Sequence, residues 1–572
     1  MTVPSGIQTC RKGLPGLLDR LLAANIERLV ALPGARRYRQ FEAAAKHAAR
    51  TQNDVLRRIL SYAANTEFGR AHGFSKITTY EDYKRHVPVM DYEDYRPYIE
   101  RHQHGETDVL FPGKPLMYNC SSGTTDKPKL LPVTPYNFET SVKARSMLWL
   151  YGILRHYPGI YNGKCLGVVS PAEEGTVEDG TPYGSFSGLI RKNLPPFMNM
   201  IHSAPYNAAL INDYTAKTYT VCRFALPSDV SIIVTANPAT VLNIAAKTDA
   251  LKEELIRDIS DGTLKKELSL EPEIRRELES VLKPAKARAK ELEVLAARGD
   301  RLRPADYWPN LKLIHTWTNG NTGLVVPKLK DWFSERTPVL DFGYVSSEIL
   351  SADIMVPETG GSVLALESGF YEFVRYEDAD KPDKRFLMAH ELSVGEKYFV
   401  YVTTFSGLYR YEMNDVVEVA EFFHQTPVVR FLFKGKGIAN MQGEKLSEAQ
   451  FIEAVSTARK RTGMSHEFFI GYADVEQSRY QLFIEFSKTY SKEEQNAFGT
   501  ALDEALGQVN MEFAAKFNSE RIHPTEIIHM GKDFFARYRL LRIREGAYEG
   551  QIKWMQLTTI AAIKQQLLSL LA

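Results

Sequence analysis

Hydrophobic positions in the first hundred residues recur at helical spacing. The clearest case puts apolar side chains on one face of a helix at Val55, Leu56, Ile59, Leu60 and Ala63. Gly69 and Gly73 follow this pattern and are typical of a helix end and a connector. We therefore predict helices and short connectors over this part of the chain.

Short apolar segments then alternate with helical stretches. The predicted strands are Leu116–Tyr118, Cys165–Val169, Ser231–Thr235, Leu311–Thr316 and Val339–Tyr344. Strands separated by helices favour crossover connections, so the sequence predicts an α/β fold with mostly parallel β-sheets flanked by helices. A charged, leucine-spaced insert runs from Lys247 to Arg303. We interpret it as a solvated helical hairpin packed on the main body, rather than an interaction arm.

The pattern becomes β-rich after about residue 360. Strand-like segments are Lys397–Thr404, Val416–Val419 and Val428–Phe433, and a half-buried strand is predicted over Tyr480–Phe486. Ser491 and Glu494 form a capping box that opens a helix to about Phe517. Because glycines follow Lys434, we predict a large N-terminal domain over 1–433 and a small, mobile α+β domain over 434–572.

Composition and charge exclude several classes of protein. The 572 residues are 44% hydrophobic and carry a net charge of +1, so no global field favours nucleic acid or acidic membranes. Four cysteines without short paired spacing argue against a disulfide scaffold or a zinc ribbon. No apolar run is long enough to span a bilayer. Residues 1–50 are rich in basic side chains, which suggests either a transit peptide or, as we prefer, amphipathic helices. We expect a soluble cytoplasmic protein.

The strongest candidate for chemistry is the segment Ser121–Lys129, which reads S-S-G-T-T-D-K-P-K directly after a predicted strand. Hydroxyl groups and backbone N–H groups of such a segment can bind phosphate oxygens, and Lys129 adds a positive charge. The segment is not a Walker loop, because it lacks the G-K-[ST] ending. Taken as a bare pattern, it could also be an ordinary turn.

Two further clusters come later in the chain. Tyr344–Glu348 lies at a predicted strand end, where Glu348 could bind Mg²⁺ through its carboxylate or simply belong to a capped helix start. Gly407–Asp415 reads G-L-Y-R-Y-E-M-N-D, and Asp415 could accept hydrogen bonds from ribose hydroxyls. Alone, this third cluster is a hairpin turn between strands.

In this order and spacing, the three clusters resemble the nucleotide motifs of the adenylate-forming superfamily. The chain more closely resembles the Gretchen Hagen family of acyl acid–amido synthetases, and its motif details resemble the bacterial branch. The segments that carry this resemblance, besides the three clusters, are Asn65–Gly69, Val87–Pro88, Tyr98–Arg101, Thr235–Pro238, Trp317–Gly320, Gly443–Glu448 and Gly550–Lys553. They cover roughly residues 50 to 560.

The resemblance implies a role for each matching residue. The residues that would bind the ATP phosphates are Ser121, Ser122, Gly123, Thr124, Thr125 and Lys129. Gly320 and Tyr344 would lie beside the adenine, with Ser347 in the same nucleotide site, and Glu348 would bind Mg²⁺. Asp415 would hold the ribose, helped by Lys434. Lys553 would contact the α-phosphate and carboxylate during adenylation, so Lys553, Lys129 and Thr124 are the catalytic candidates.

The implied activity is ATP- and Mg²⁺-dependent ligation of a small carboxylic acid to an amine, an amino acid in this family, by a monomer. An acyl-CoA ligase and a non-catalytic nucleotide-binding protein stay open as alternatives. The sequence departs from the family pattern at Asp126, Asn414, Lys434 and Trp554. Asp126 and Asn414 stand where glycine is usual, and both side chains tolerate positive φ.

Weaker candidates remain outside these clusters. His102 and His104 could bind a metal, but without a third ligand we interpret them as polar residues of an exposed loop. Cys120 adjoins the Ser121–Lys129 segment, yet nothing supplies it with a partner base, so we predict a packing role.

Overall fold

The structure is a computed structural model of the full chain. It describes residues 21, 25–121, 129–319, 325–349, 352–356, 359–379, 381, 383–435, 438–439, 441, 444, 446–518, 520–545 and 554–571. Of residues 1–50, the segment considered as a transit peptide, positions 1–20 and 22–24 lie outside the described residues, and Ile26–Ala45 is a helix. Among the described residues, no helix is long and apolar enough to cross a membrane.

The α-helices of the described residues are α1 Ile26–Ala45, α2 Ala48–Ala63, α3 Glu67–Ala71, α4 Tyr80–His86, α5 Tyr92–Gln103, α6 Pro135–Asn137, α7 Lys143–His156, α8 Phe186–Lys192, α9 Pro196–Asn199, α10 Tyr214–Ala225, α11 Pro238–Ala250, α12 Lys252–Asp261, α13 Pro272–Val281, α14 Lys286–Ala296, α15 Pro304–Tyr307, α16 Glu448–Thr462, α17 Lys492–Val509, α18 Met511–Asn518, α19 Phe534–Arg544 and α20 Ala561–Ser569. The strands are β1 Met117–Ser121, β2 Lys129–Val133, β3 Lys164–Gly167, β4 Gly175–Thr176, β5 Pro182–Gly184, β6 Val230–Val234, β7 Leu313–Thr316, β8 Val339–Asp341, β9 Ala352–Val356, β10 Gly361–Leu364, β11 Phe370–Arg375, β12 Leu387–Met388, β13 Lys397–Thr403, β14 Tyr411–Phe423, β15 Thr426–Lys434, β16 Ile438–Ala439, β17 Leu446–Ser447, β18 His466–Asp474, β19 Arg479–Phe486, β20 His523–His529 and β21 Leu557–Thr558.

A parallel sheet forms in the order β3-β6-β7-β8. β3 pairs with β6, β6 with β7 and β7 with β8, each in parallel. Helices α8 to α11 and the charged insert connect these strands, so their carboxyl ends share one edge of the sheet. The predicted α/β fold class is confirmed, and the four predicted strands of this sheet are present with ends shifted by a few residues.

The strand predicted at Leu116–Tyr118 is present but belongs to a different sheet. β1 pairs antiparallel with β2 and parallel with β5, in the order β2-β1-β5-β4. Ser121, the last residue of β1, lies opposite Lys129, the first residue of β2. The chain therefore returns beside the strand it has just left and antiparallel to it, whereas β3, β6 and β7 pair in parallel.

The β-rich region after residue 360 forms a seven-stranded sheet in the order β12-β11-β13-β14-β15-β10-β9. β11 pairs antiparallel with both β12 and β13, and β10 with both β9 and β15. The predicted segment Val416–Val419 is the middle of the longer strand β14.

The charged insert is a set of helices packed on the main body, as predicted. Helices α12, α13 and α14 bury a leucine stripe against the helices that flank the parallel sheet. Its buried members include Leu255, Leu278 and Leu292. The charged positions face outward, so the insert is stabilised by its apolar face.

The chain divides into two compact units: Met1–Met413 with Glu418–Phe431, and Asn414–Val417 with Leu432–Ala572. The smaller unit has a four-stranded sheet in the order β20-β19-β18-β21. Apolar clusters lie on both faces of this sheet, one containing α16 and α17 residues, the other α19 and α20 residues. The predicted boundary at 433/434, and the role of a mobile lid, stay predictions.

Strand β19 is buried on both faces, so the prediction of a half-buried strand is wrong. Gln481 and Glu485, its polar positions, are both buried, and each side chain makes at least one hydrogen bond. Gln481 donates to Glu526 at 2.7 Å, and Glu485 accepts from the backbone N–H of Asp533 at 2.8 Å, just before α19. These hydrogen bonds offset part of the free-energy cost of removing the two polar side chains from water.

The capping box at Ser491 and Glu494 is confirmed, but its helix ends earlier than predicted. α17 stops at Val509 because Asn510 adopts an extended conformation. The Asn510 side chain accepts from Phe513 N at 2.8 Å and donates to Glu444 O at 2.9 Å. These bonds start α18 as a separate helix.

A buried ion pair joins the N-terminal helices to the seven-stranded sheet. The Arg410 guanidinium contacts both carboxylate oxygens of Glu372, at 3.0 and 3.1 Å from Nε. It also donates to the carbonyl of Val87 at 3.0 Å, at the end of α4, while Tyr80 Oη donates to Glu372 at 2.8 Å. Both charges are buried and multiply hydrogen-bonded, so removal of either partner leaves an uncompensated charge.

We expect Glu372→Gln to lower the free energy of unfolding of the larger unit by about 3–5 kcal/mol, because the buried Arg410 charge loses its partner. Urea denaturation followed by fluorescence will measure the change. The matched control is Glu93→Gln at the exposed Glu93–Arg96 pair, where at most about 1 kcal/mol is expected. Equal effects of the two substitutions would contradict the assignment.

His102 is not a residue of an exposed loop, so that prediction is wrong for this histidine. Its ring stacks on Phe111 with centroids 4.0 Å apart, and Nε2 accepts from Leu110 N at 3.0 Å. Burial lowers the pKa of His102 to about 4. His104, in contrast, is exposed beside Glu178. Among the described residues, no group of three or more His, Cys, Asp or Glu side chains could hold a metal ion.

The depressed pKa of His102 makes the stability of the larger unit depend on pH. The folded state favours the neutral ring, so its contribution is complete above the unfolded pKa of about 6.5 and is lost as pH falls towards 4. We expect His102→Gln, which keeps an acceptor for Leu110 N, to flatten the fall of the urea midpoint between pH 6.5 and 4. An unchanged pH profile would contradict this.

Candidate functional site

The first cluster is anchored by the β1–β2 pair. Lys129 begins β2, and Ser121 ends β1. The candidate phosphate-binding residues Ser122, Gly123, Thr124 and Thr125 lie outside the described residues, as do Asp126 and the side chain of Ser121. What the structure determines here is the pair of strands from which this segment emerges.

Lys129 is held by aromatic side chains. Its Nζ lies 5.2 Å from the ring centroid of Tyr92 and 3.5 Å from the hydroxyl of Tyr411. Tyr92 is itself oriented by β2, since its hydroxyl accepts from Leu130 N at 2.8 Å. Cation–π and hydrogen-bond contacts thus keep this ammonium group at the start of β2, beside the third cluster.

The second cluster follows the carboxyl end of β8, as expected for a ligand site of a parallel sheet. Tyr344 is buried, its backbone N–H donates to Ser362 Oγ at 3.2 Å, and its ring is nearly parallel to Phe431 with centroids 6.2 Å apart. Gly320, the other adenine candidate, lies outside the described residues.

Glu348 lies in a tight turn four residues beyond the buried Tyr344. Ser346 closes the turn on both sides, because its Oγ accepts from Ile349 N at 3.2 Å and donates to Ile349 O at 3.1 Å. The Glu348 side chain is half-buried, and no described lysine or arginine forms an ion pair with it. It is not a capped helix start, since residues 345–349 form no helix.

Asn119 joins the first cluster to the second, and sequence reasoning missed it. This side chain of β1 is 1% exposed. Its Nδ2 donates to Ser347 O at 3.3 Å, and its Oδ1 accepts from Phe186 N at 3.1 Å, the first residue of α8. A buried asparagine inside a strand just before the phosphate-loop candidate was the available signal.

Residues 407–410 of the third cluster belong to the connection between the neighbouring strands β13 and β14, as the bare pattern suggested, and the rest of the cluster continues into β14. Gly407 forms the turn at φ +89°, where a Cβ would lie 2.8 Å from Leu110 Cβ. Asp415 lies five residues into β14, is 2% exposed, and follows Asn414 at φ +55°. Asn414 therefore adopts the left-handed conformation expected where the family has glycine, and its carbonyl accepts from Gly435 N at 2.8 Å.

The C-terminal candidates are only partly described. Lys434 ends β15, but its side chain lies outside the described residues, as does Lys553. Trp554, the bulky neighbour of Lys553, is buried and packs on Phe535 with ring centroids 4.8 Å apart. It is a core residue of the smaller unit.

Glu448 anchors the chain just after Trp554. Its carboxylate accepts from the backbone N–H groups of Gln556 and, at 3.3 Å, of Leu557. The buried carboxylate of Glu448 thus connects the end of one family-like segment, Gly443–Glu448, to the residues that follow the other, Gly550–Lys553. Cys120 is buried in β1, which confirms its packing role.

The fold matches that of acyl acid amido synthetases of known structure. The structure of the GH3.15 acyl acid amido synthetase superposes with a TM-score of 0.81 at 22% identity, covering 92% of this chain and 95% of that one. A second structure, AtGH3.15 acyl acid amido synthetase in complex with 2,4-DB, gives a TM-score of 0.80 at 20% identity, covering 94% of this chain and 96% of that one. Both comparisons show that this chain has the fold of those proteins.

Models of the three GH3 family domains match the chain in order. The GH3 family N-terminal domain matches residues 37–339, the GH3 family central domain residues 362–434, and the GH3 family C-terminal domain residues 449–559. The chain belongs to the GH3 family. It is an acid–amino acid ligase.

Named relatives are similar over most of their length. The jasmonoyl–L-amino acid synthetase GH3.5 of Oryza sativa subsp. japonica is 26% identical over 528 residues, covering 87% of this chain and 90% of that protein. The indole-3-acetic acid-amido synthetase GH3.3 of Arabidopsis thaliana is 24% identical, covering 75% of this chain and 74% of that protein.

The positive φ of Asn414 leads to a prediction for the smaller unit. Asn414→Gly should leave the free energy of unfolding nearly unchanged, whereas Asn414→Val should lower it by about 1–2 kcal/mol, because a β-branched side chain disfavours the left-handed conformation. Urea denaturation of both variants compares the two. Greater loss in the glycine variant would contradict the conformational explanation.

Proposed function

We propose that this chain uses ATP to adenylate a small carboxylic acid and then transfers the acyl group to the amine of an amino acid. In the first step a carboxylate oxygen attacks the α-phosphorus, and the bond to pyrophosphate breaks. In the second, the amine nitrogen attacks the acyl carbon, loses a proton, and AMP leaves. The products are an amide, AMP and pyrophosphate.

One observation supports this proposal most: within the larger unit, β1 and β2, the two strands that flank the first cluster, contact both other clusters. Asn119 reaches the turn of Glu348, and Lys129 reaches Tyr411 of the third cluster. Since adenylation brings a carboxylate to a triphosphate, cations and N–H donors must neutralise charge at the reacting oxygens. Lys129, the segment 122–128 and Lys553 are proposed to do so.

The residues fit a magnesium ion. Glu348 offers one half-buried carboxylate in a fixed turn, without a competing described cation, and Mg²⁺ is commonly bound by one or two carboxylates plus substrate phosphates. Bound there, the ion would supply positive charge to phosphate oxygens. Asp415, assisted by Lys434, is proposed to hold the ribose, and Tyr344 and Gly320 the adenine.

The acid and the amino acid are not defined by the relatives, since those are plant enzymes named for jasmonate and indole-3-acetate at about a quarter identity. Membership of the bacterial branch, a monomeric state and a cytoplasmic location likewise stay predictions. Amine-dependent rather than thiol-dependent AMP release is expected, and this measurement distinguishes the proposed reaction from that of an acyl-CoA ligase.

We expect the purified protein to exchange pyrophosphate into ATP with some member of a panel of aromatic, indolic and aliphatic acids. Adding amino acids should then yield AMP and an amide. Lys129→Ala and Lys553→Ala should each lower the exchange rate about 10²–10³-fold, because each removes a cation from the developing charge.

The matched controls are Lys143→Ala in the larger unit and Lys532→Ala in the smaller, both at exposed positions. If the folded wild type and the control variants bind ATP but exchange no pyrophosphate with any acid of the panel, the result would favour a nucleotide-binding protein without turnover. Unchanged exchange in Lys553→Ala would remove the proposed role of that lysine alone.

A further inference from the structure

The three segments that meet at Asn119 share no sequence neighbourhood. Asn119 is two residues before the end of β1, whereas Ser347 lies 228 residues later in the chain. Phe186, whose backbone N–H donates to Asn119 Oδ1, is the first residue of α8. A single side-chain amide thus connects the strand that leads into the phosphate-loop candidate, the turn that carries Glu348, and the start of a helix.

The atom that Asn119 holds in the second cluster is the carbonyl of the Ser347–Glu348 peptide group. Fixing this oxygen fixes the plane of that peptide group and therefore the backbone position of Glu348. Ser346 holds the same turn from the opposite direction through its two hydrogen bonds to Ile349. Residues 345–349 form no helix or strand, and the turn also has a backbone hydrogen bond from Ser346 N to Ile349 O at 3.2 Å. The Asn119 contact connects this turn to β1.

Burial makes the Asn119 contacts sensitive to substitution. Asn119 itself is 1% exposed, and its two partner residues, Ser347 and Phe186, are half-buried. A shorter side chain at this position loses both hydrogen bonds and leaves the Ser347 carbonyl without its contact to β1. The start of α8 has a second support, because Ser185 Oγ accepts from Gly188 N at 3.2 Å. The Ser347 carbonyl receives its hydrogen bond in the described part of the chain from Asn119.

We infer that Asn119 is a positioning residue that sets where the turn carrying Glu348 lies relative to the carboxyl end of β1. Its contribution is to the metal-dependent part of ATP binding, since that part requires Glu348 and the triphosphate to share one ion. The inference rests on the proposed function, in which Glu348 binds Mg²⁺. Asn119 itself need not touch ATP, the ion or the acid.

The test compares ATP binding with excess Mg²⁺ and with EDTA by isothermal titration calorimetry, using the full chain. The Kd in EDTA divided by the Kd with Mg²⁺ reports the metal-dependent part of ATP binding. We expect Asn119→Ser to reduce this ratio about 10- to 100-fold, the usual cost of losing a residue that orients a metal ligand, while Kd in EDTA changes little. Asn119→Leu, which keeps the volume without the hydrogen bonds, provides a second variant if the serine form is unstable.

Two controls separate positioning from a structural role. Ser185→Ala weakens the start of α8 without touching Ser347, so its ratio should equal that of the wild type. In a Glu348→Gln background, Asn119→Ser should produce no further loss of the ratio, because the residue acts through Glu348. The melting temperature of each variant shows whether it is folded.

The results are distinguishable. An unchanged ratio in a folded Asn119→Ser protein overturns the inference, as does equal weakening of both Kd values, which would indicate support of the phosphate-binding segment alone. Additive losses in the double variant also overturn it. A wild type that binds ATP equally well with and without Mg²⁺ would instead overturn the proposed role of Glu348, and this inference with it.

Discussion

The candidate site depends on holding groups from distant parts of the chain against one another around ligands that are strongly anionic. Hydroxyl, ammonium and carboxylate groups gain little from such proximity before a ligand arrives, so other interactions must keep them in place. In the larger unit these interactions are buried and uncharged at Asn119, and aromatic at Lys129. Each fixes a functional segment through a neighbour of the reactive group, rather than through the group itself.

The third cluster is braced in the same indirect way. Arg410, in the middle of the motif, forms an ion pair with Glu372 and donates a hydrogen bond to the carbonyl of Val87 at the end of α4. Gly407 lets the preceding turn approach Leu110 more closely than a side chain would permit. Arg410 and Gly407, which the sequence places in a candidate nucleotide motif, therefore have structural roles. They connect the start of β14 to the N-terminal part of the chain.

The smaller unit shows how departures from a family pattern can be accommodated. Asn414 adopts the left-handed conformation for which glycine is the common choice, so the turn before Asp415 keeps its shape. Trp554 adds bulk next to Lys553, but its ring is buried among Phe468, Phe535 and Tyr538. With Glu448 accepting from the amides of Gln556 and Leu557, the chain is fixed immediately after Trp554.

The sequence alone determined what local periodicity and capping control: the parallel strands, the packed helical insert, the helix start at Ser491 and the left-handed tendency of Asn414. These follow from side-chain spacing and backbone preference within a few residues. It also identified the three clusters by their chemistry and order. Tertiary structure decided the rest, because pairing partners lie far apart in the chain. It placed β1 in its own sheet and buried His102 on Phe111 and both polar positions of β19. It also brought Asn119, Arg410 and Glu448 into contact with segments far away in the chain. No local pattern indicates a partner 228 residues away, since a hydrogen bond between distant segments depends on how whole sheets and helices pack.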